Sequence, residues 1–271
     1  MSALDAELLS IFRFVSERVI MPRWQNLAAS EVEEKAKDDF VTIADKETEL
    51  FLTEALGKLA PDIAIVGEEA VHADPSIMDR LSGPCWIIDP IDGTSNFARG
   101  EGHFAIMVAL ADAGEAIAGW IYDPRRDRLI SARRGEGAMI DGERLVACAS
   151  GAEPATLAAM KRFMLPDQRT LFEAAIEPHD TLVTAPGCAA EQYPLTATGQ
   201  HDLAIYERTL PWDHAAGCLF LNEAGGACRR LDGTPYRVDD GRKGMVAAAS
   251  PALFDDLAGR LNAIGYEPAA S

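Results

Sequence analysis

The chain reads as an α+β half joined to an α/β half, and three observations predict it. Apolar residues recur at helical spacing through the first sixty positions, short β-rich runs follow to about residue 145, and strand and helix patterns alternate from about residue 182 onward. At 271 residues the chain suits one large domain or two fused smaller ones. Small polar residues from Ala149 to Pro154 read as a hinge, so the expected units are residues 1–148 and 149–271.

The elements follow in order. Leu4, Leu8, Ile11, Val15 and Val19 lie on one helical face, in a pattern that runs to Pro22. The charged stretch EVEEKAKDDF is expected to be a mobile loop, followed by a helix from about Ala44, carrying Leu50, Leu56 and Leu59, to Pro61. IAIVG (63–67), WIID (86–89), FAIMVAL (104–110) and AIAGWIY (116–122) read as strands, and Asp141-Gly142 in RRGEGAMIDGERL as a hairpin turn. In the second half LVTA (182–185), DLAIY (202–206) and MVAAAS (245–250) are expected strands. Helices are expected from about Ala189, from Trp212 to Glu223, and from Pro251. There is no internal repeat and no low-complexity segment.

Composition excludes several classes. Hydrophobic residues make up 48% and charged ones 25%, ordinary for a compact fold. The 43 acids against 25 bases leave a net charge of −18, the wrong sign for a nucleic-acid or anionic-membrane binder. Asp5, Glu7, Arg13 and Glu17 interrupt the apolar N-terminal segment, which therefore lacks the run of a signal peptide or membrane span, and a soluble cytoplasmic protein is expected. The five cysteines, at 85, 148, 188, 218 and 228, are odd in number and form no CxxC pair, so reduced and mostly buried thiols are expected.

The chemistry concentrates in WIIDPIDGTSNF, residues 86–97. A strand delivers Asp89, Pro90 stiffens the turn, and Asp92 follows three residues later with the Ile91 carbonyl between them. Such hard oxygen ligands suit Mg²⁺ or Mn²⁺ and not zinc. Gly93, Thr94 and Ser95 then open a helix whose N–H groups can cradle a phosphate. The plainer alternative is an Asp-rich turn that only caps a helix.

Spacing weighs against three nearby motifs. An EF-hand starting at Asp89 would meet Ile91, Gly93 and Gly100 where it needs acidic or amide ligands. A phosphoaspartate DxDGT pattern needs acids two residues apart, whereas Asp89 and Asp92 are three apart. GEGHFA (100–105) precedes a strand instead of joining strand to helix, so it reads as a turn.

Taken together, KAKDDFVTIADKE (35–47), VGEEA (66–70), DPIDGTSNF, RRGEGAMIDG, GCAAEQY (187–193) and PWDHAAGCLFLNEAGG resemble, in order along nearly the whole chain, the inositol monophosphatase family of magnesium-dependent, lithium-sensitive phosphatases. That resemblance implies a five-layered αβαβα sandwich, an active site between the two halves, and a homodimer. It also implies Glu68, Asp89, the Ile91 carbonyl, Asp92 and Asp213 as ligands for two or three Mg²⁺, with Mn²⁺ as a possible substitute. Glu68 and Asp213 make sense alone: one stands at a strand end and the other at a helix start, and a cluster of such acids repels itself without cations. By the same resemblance Thr94 and Asp45 hydrogen-bond and help Glu68 activate water. Backbone N–H groups of Gly93, Thr94 and Ser95, with Lys35, hold phosphate; Lys37 competes with Lys35 for that role. The implied reaction is a two-metal displacement at phosphorus with metals roughly 3.5–4 Å apart, without a covalent intermediate. His214 reads as packing, and Cys188 as a small buried residue beside the substrate pocket.

The implied partner is a small phosphate ester, with myo-inositol 1-phosphate as lead. Gly187, Cys188 and Glu207 stand at substrate-contacting positions, although Glu207 is one residue out of the family spacing and is followed by Arg208, which leaves a surface position open. Glu191 and Gln192 are expected to make the pocket wall more polar. Histidinol phosphate, nucleoside bisphosphates, NADP and fructose 1,6-bisphosphate remain alternatives with the same chemistry, as does a phosphatase-like regulatory chain without turnover.

Overall fold

The computed structural model describes residues 2–36, 39–177 and 179–268. The chain forms α1 (Ala3–Val15), β1 (Val32–Ala36), β2 (Asp39–Thr42), α2 (Ile43–Leu59), β3 (Ala64–Gly67), α3 (Glu68–Ala73), β4 (Cys85–Asp92), α4 (Thr94–Arg99), β5 (Ala105–Asp112), β6 (Glu115–Asp123), β7 (Arg128–Arg133), β8 (Gly137–Ile140) and β9 (Glu143–Leu145). It continues with β10 (Ala155–Ala159), α5 (Pro166–Ile176), β11 (Asp180–Val183), α6 (Ala189–Ala197), β12 (Leu203–Tyr206), α7 (Pro211–Glu223), β13 (Ala227–Arg229), β14 (Met245–Ala248) and α8 (Pro251–Ala263).

Strands β3 to β9 form a seven-stranded sheet in sequence order, parallel only between β3 and β4. A second sheet of five strands runs β11-β10-β12-β14-β13, with β10 parallel to both of its neighbours and the β14 pairings antiparallel.

Alternation along the strands shows how the layers stack, because successive side chains point to opposite faces. On β4 and β5, Trp86, Ile88, Ile106 and Val108 pack with Leu8, Phe12, Leu52 and Leu56 of α1 and α2. Ile87, Met107 and Ala109 face the other way, onto Tyr193 of α6 and Trp212, Leu219 and Phe220 of α7, which also meet Ala158, Ala204 and Ala247 of the second sheet. That sheet's outer residues Leu157, Leu203, Ile205 and Val246 lie under Phe172 and Ile176 of α5 and Phe254, Leu257 and Leu261 of α8. The order helices, sheet, helices, sheet, helices is the five-layered αβαβα sandwich. Sheets covered on both faces explain why these strands are unbroken apolar runs.

Three features depart from the sequence expectation. The stretch expected as a mobile loop forms an antiparallel ribbon, with Val32 opposite Thr42, Glu33 opposite Val41 and Glu34 opposite Phe40; Glu and Lys are poor strand formers, so pattern alone does not reveal it. Strand β4 does not stop at Asp89 but runs through Pro90 to Asp92. Its partners shift from Met107 at Asp89 to Ala105 at Asp92, so the extra residue forms a bulge there, a place where a strand tolerates proline. β10, β13 and α5 were not expected. The two strands are short and rich in alanine, and α5 shows little apolar periodicity.

Candidate active site

The bulge on β4 places two carboxylates where one strand end meets two helix starts. Asp89 is buried, and its Oδ1 accepts the Ile91 N–H at 3.0 Å. Asp92 turns toward the start of α6: its Oδ2 accepts the Ala190 N–H at 2.6 Å and the Cys188 thiol at 3.0 Å. Asp213 stands in the first turn of α7, after Pro211 and Trp212. One carboxylate oxygen from each of Asp89, Asp92 and Asp213 lies within 4.8 Å of the others. Glu68, the first residue of α3, lines the same cavity without joining that set.

Charge crowding shows in the acidities. Burial, then the charges of Glu68, Asp92 and Asp213, push Asp89 well above the ordinary carboxylate range. Enclosure also raises Asp92, against the opposing donors Cys188, Ala190 and Ala189. Such a set favours a hard cation over two or three adjacent negative charges.

Asp45 lies in the first turn of α2, 1% exposed. Its Oδ2 accepts the Thr42 N–H at 2.8 Å and hydroxyl at 2.5 Å, in a reciprocal cap of that helix. Burial pushes it up to about 7. The Thr94 hydroxyl lies 3.1 Å from Asp45 Oδ1 and 2.9 Å from the Ile91 carbonyl oxygen, so the expected Thr94–Asp45 contact is present. Gly93 precedes α4 with φ of +87°, and a Cβ there would stand 2.6 Å from the His103 carbonyl oxygen. The first N–H groups of α4 have no partners within the helix, and Gly93, Thr94 and Ser95 line the cavity.

The cavity, about 640 Å³, is also lined by Gly187, Cys188, Gln192, Glu207, Arg208 and His214. Burial and the Asp92 charge raise the Cys188 thiol well above its usual range, so it stays protonated and donates. His214 is the packing residue expected. Its Nε2 meets the Arg208 carbonyl oxygen at 3.0 Å, its Nδ1 meets the Tyr193 hydroxyl at 2.8 Å, and burial pulls it down to about 3, so it is neutral at pH 7. Four of the five cysteines are buried and none is paired; Cys148 is exposed.

One open alternative is closed and one expectation is corrected. Glu207 does not take the surface position left open: it is 5% exposed, lines the cavity and accepts a hydrogen bond from the Tyr266 hydroxyl. Glu191 does not face the cavity. It ion-pairs with Arg126 and Arg128 at 2.8 Å each, beneath β6 and β7, because those arginines stand opposite the start of α6. Lys35 lies on β1, while its side chain and the whole of Lys37 fall outside the described residues.

Sequence reasoning missed two supports. Glu49, one turn beyond Asp45 on α2, accepts the Glu69 and Ala70 N–H groups at 2.8 Å each and so caps α3, which begins with Glu68. Asn96 donates to the carbonyl oxygens of His103 and Pro186, tying α4 to the loop that carries Gly187 and Cys188. Neither has a local sequence pattern; each joins segments far apart in the chain.

The fold and this acid cluster define a member of a metal-dependent class of phosphatases, and comparison with known proteins agrees. The profile of the inositol monophosphatase family matches residues 9–266, and the chain belongs to that family. It is 33% identical to the inositol-1-monophosphatase of Bacillus subtilis, over 81% of this chain and 82% of that one. It is 32% identical to the Nus factor SuhB of Escherichia coli K12, over 77% and 78%. Among solved structures, inositol monophosphatase II of Staphylococcus aureus superposes with a TM-score of 0.81 at 26% identity, covering 98% of this chain and 95% of that one. No helix among the described residues is long and apolar enough to cross a membrane.

Proposed function

We propose that this chain is a Mg²⁺-dependent phosphomonoesterase of the inositol-1-monophosphatase type, with myo-inositol 1-phosphate as lead substrate. The observation that carries it is the convergence of Asp89, Asp92 and Asp213 within 4.8 Å, in a cavity that also receives the start of α4. The donor set fits two or three Mg²⁺, or Mn²⁺ in substitution: oxygen ligands only, drawn from Glu68, Asp89, the Ile91 carbonyl, Asp92 and Asp213, and mutually repelling without a cation. Bound there, the metal supplies Lewis acidity toward phosphoryl oxygens and an acidified water.

The chain's own groups do the rest. The N–H groups of Gly93, Thr94 and Ser95 take the phosphate oxygens, with Lys35 as a further cationic contact. The Thr94 hydroxyl would take the proton leaving the attacking water as it hands its own to Asp45, whose acidity near 7 lets it accept one at neutral pH, while Glu68 orients that water. Cys188 and the start of α6 hold Asp92 by one oxygen and leave the other for the cluster. Gly187 and Glu207 shape the wall that meets the alcohol portion. The unit of residues 1–148 would supply most of these groups and that of residues 149–271 would close the site, in a cytoplasmic homodimer.

The test is phosphate release with Mg²⁺ from myo-inositol 1-phosphate, histidinol phosphate, a 3′(2′),5′-bisphosphate nucleotide, NADP and fructose 1,6-bisphosphate. Turnover of the first, inhibited by millimolar Li⁺, is expected. Activity confined to another ester would move the substrate, and silence on all of them would favour a second reading, supported by the name of the Escherichia coli relative: a regulatory chain without catalysis.

A further inference from the structure

A carboxylate leaves water only against partners, and those of Glu191 stand in the turn between β6 and β7. Glu191 lies in the first turn of α6, 7% exposed, and its Oε2 accepts from Arg126 Nη1 and Arg128 Nη2 at 2.8 Å each. The arginines are themselves held. Asp123, the last residue of β6, accepts the Arg125 and Arg126 N–H groups at 2.9 and 3.2 Å and pairs with Arg126 Nη1 at 2.8 Å, while Arg128 opens β7 with its Nη2 3.6 Å from Asp123 Oδ2. Two acids thus face two bases. His103 Nδ1 stands 3.8 Å from Glu191 Oε1 at the edge of this group.

The residues just before Glu191 are the ones that hold Asp92. Asp92 Oδ2 accepts the Ala190 N–H at 2.6 Å and the Cys188 thiol at 3.0 Å, and the Glu191 N–H donates to the Cys188 sulfur. One donor to Asp92 is therefore the neighbouring residue's backbone, and the other is touched by Glu191 itself. Asp92 and Ala190 are 98 residues apart in the chain, so where α6 sits on the first sheet decides where both donors stand. β4, which carries Asp92, and β6 and β7, which carry the arginines, belong to that one sheet. The ion pairs fix α6 to it.

We propose that Glu191, clamped by Arg126 and Arg128, is a positioning residue that holds Asp92 in the geometry Mg²⁺ requires. The role rests on the reading of the acid cluster as a metal site and adds to it how this chain sets that site's affinity. Mg²⁺ demands near-ideal octahedral geometry with oxygens at about 2.0–2.1 Å, so a ligand that moves with a loosened helix start costs affinity. Groups that orient metal ligands matter by about 10–100-fold.

The test is calorimetric titration of the folded protein with Mg²⁺ at constant ionic strength. Glu191→Gln and Arg126→Gln are each expected to weaken binding about tenfold. The double variant should lose no more than the worse single one, because both open the same clamp. Arg126→Lys should keep part of the affinity. The Arg126 side chain is 41% exposed, so Arg126→Gln decides alone if the buried change unfolds the chain. Charge by itself predicts a different pattern: loss of an acid weakens cation binding and loss of a base strengthens it. Shifts of opposite sign would overturn the positioning role. Asp5→Ala is the structural control, expected to lower the melting temperature and leave Mg²⁺ affinity as it was; a loss there equal to that of Glu191→Gln would also overturn it. Binding unchanged in both single variants removes the clamp and leaves the phosphatase. A wild type that binds no Mg²⁺ removes the metal site and the clamp together. Weakened binding in both variants of a protein that cleaves no ester upholds the clamp and removes the phosphatase.

Discussion

Asp92 shows how one side chain can be fixed and reactive at once. Its Oδ2 is held by the Ala190 N–H and the Cys188 thiol, so the carboxylate cannot rotate away from Asp89 and Asp213 without breaking both contacts. Asp92→Asn keeps the shape and the hydrogen-bond acceptor while it removes the charge and turns an amide toward the cluster. On the two-metal reading, kcat should fall about 100-fold or more, with the melting temperature of the metal-free protein unchanged or raised, because a repelling charge is gone. Phosphate release at the wild-type rate would remove Asp92 from the metal site. The measurement is steady-state turnover beside a thermal melt in chelator.

At the scale of elements, the site is a meeting of helix starts, and their caps are the weak points. Glu49 reaches from α2 to cap α3, and it can do so only because Gly67 has no side chain: a Cβ there would stand 2.4 Å from the Glu49 carboxyl carbon. Gly67→Ala should therefore displace Glu49, free the start of α3 and swing Glu68. The expected loss is about 1–3 kcal/mol in a denaturant titration, with kcat reduced more than KM is raised. On the same face of the sheet Asp5, in the first turn of α1, completes that helix's cap and accepts from Trp120 Nε1 at 2.8 Å and from Arg133 at 2.8 Å. Although burial opposes it, these donors hold Asp5 down at about 2. Its stabilisation is thus complete above the ordinary carboxylate range near 4 and is lost as pH falls from there toward 2. Asp5→Ala should lower the urea midpoint at pH 7, equivalent to about 3 kcal/mol, and the gap from wild type should close as pH approaches 2. A gap that widened on acidification would refute this. The same elements show what the sequence made legible. The strand bearing Asp89 and the helix starts bearing Glu68 and Asp213 are local patterns of apolar run, turn residue and acid. Glu49 beneath Gly67 and Glu191 under Arg126 and Arg128 depend on which segment meets which, and pairings across the chain leave no local trace. The β1–β2 ribbon was hidden for another reason: its Glu and Lys residues carry the composition of a loop.

For the whole molecule, the question is where the −18 charge costs stability and how cations act on it. Most acids lie at the surface, where any salt screens their repulsion over a Debye length of about 8–10 Å, without preference for one cation. The cluster differs. Asp89 and Asp92 come from the first sheet and Asp213 from α7, the helix packed between the sheets, so a cation held by all three would link those layers. A ligand bound only by the folded state stabilises it by mass action, about 2.7 kcal/mol at a hundred times its dissociation constant. For a chain of this size that corresponds to roughly 5 °C in melting temperature. Raising Mg²⁺ at constant ionic strength, with K⁺ as the balancing ion, should therefore raise the melting temperature along a saturating curve. K⁺ alone should give only a shallow, non-saturating drift. Asp213→Asn should abolish the saturating part and keep the drift, because it leaves the surface charge almost unchanged and cuts the link to α7. If Mg²⁺ and K⁺ moved the melt equally at equal ionic strength, the acids would be acting only as surface charge, and the metal site would fall with that result.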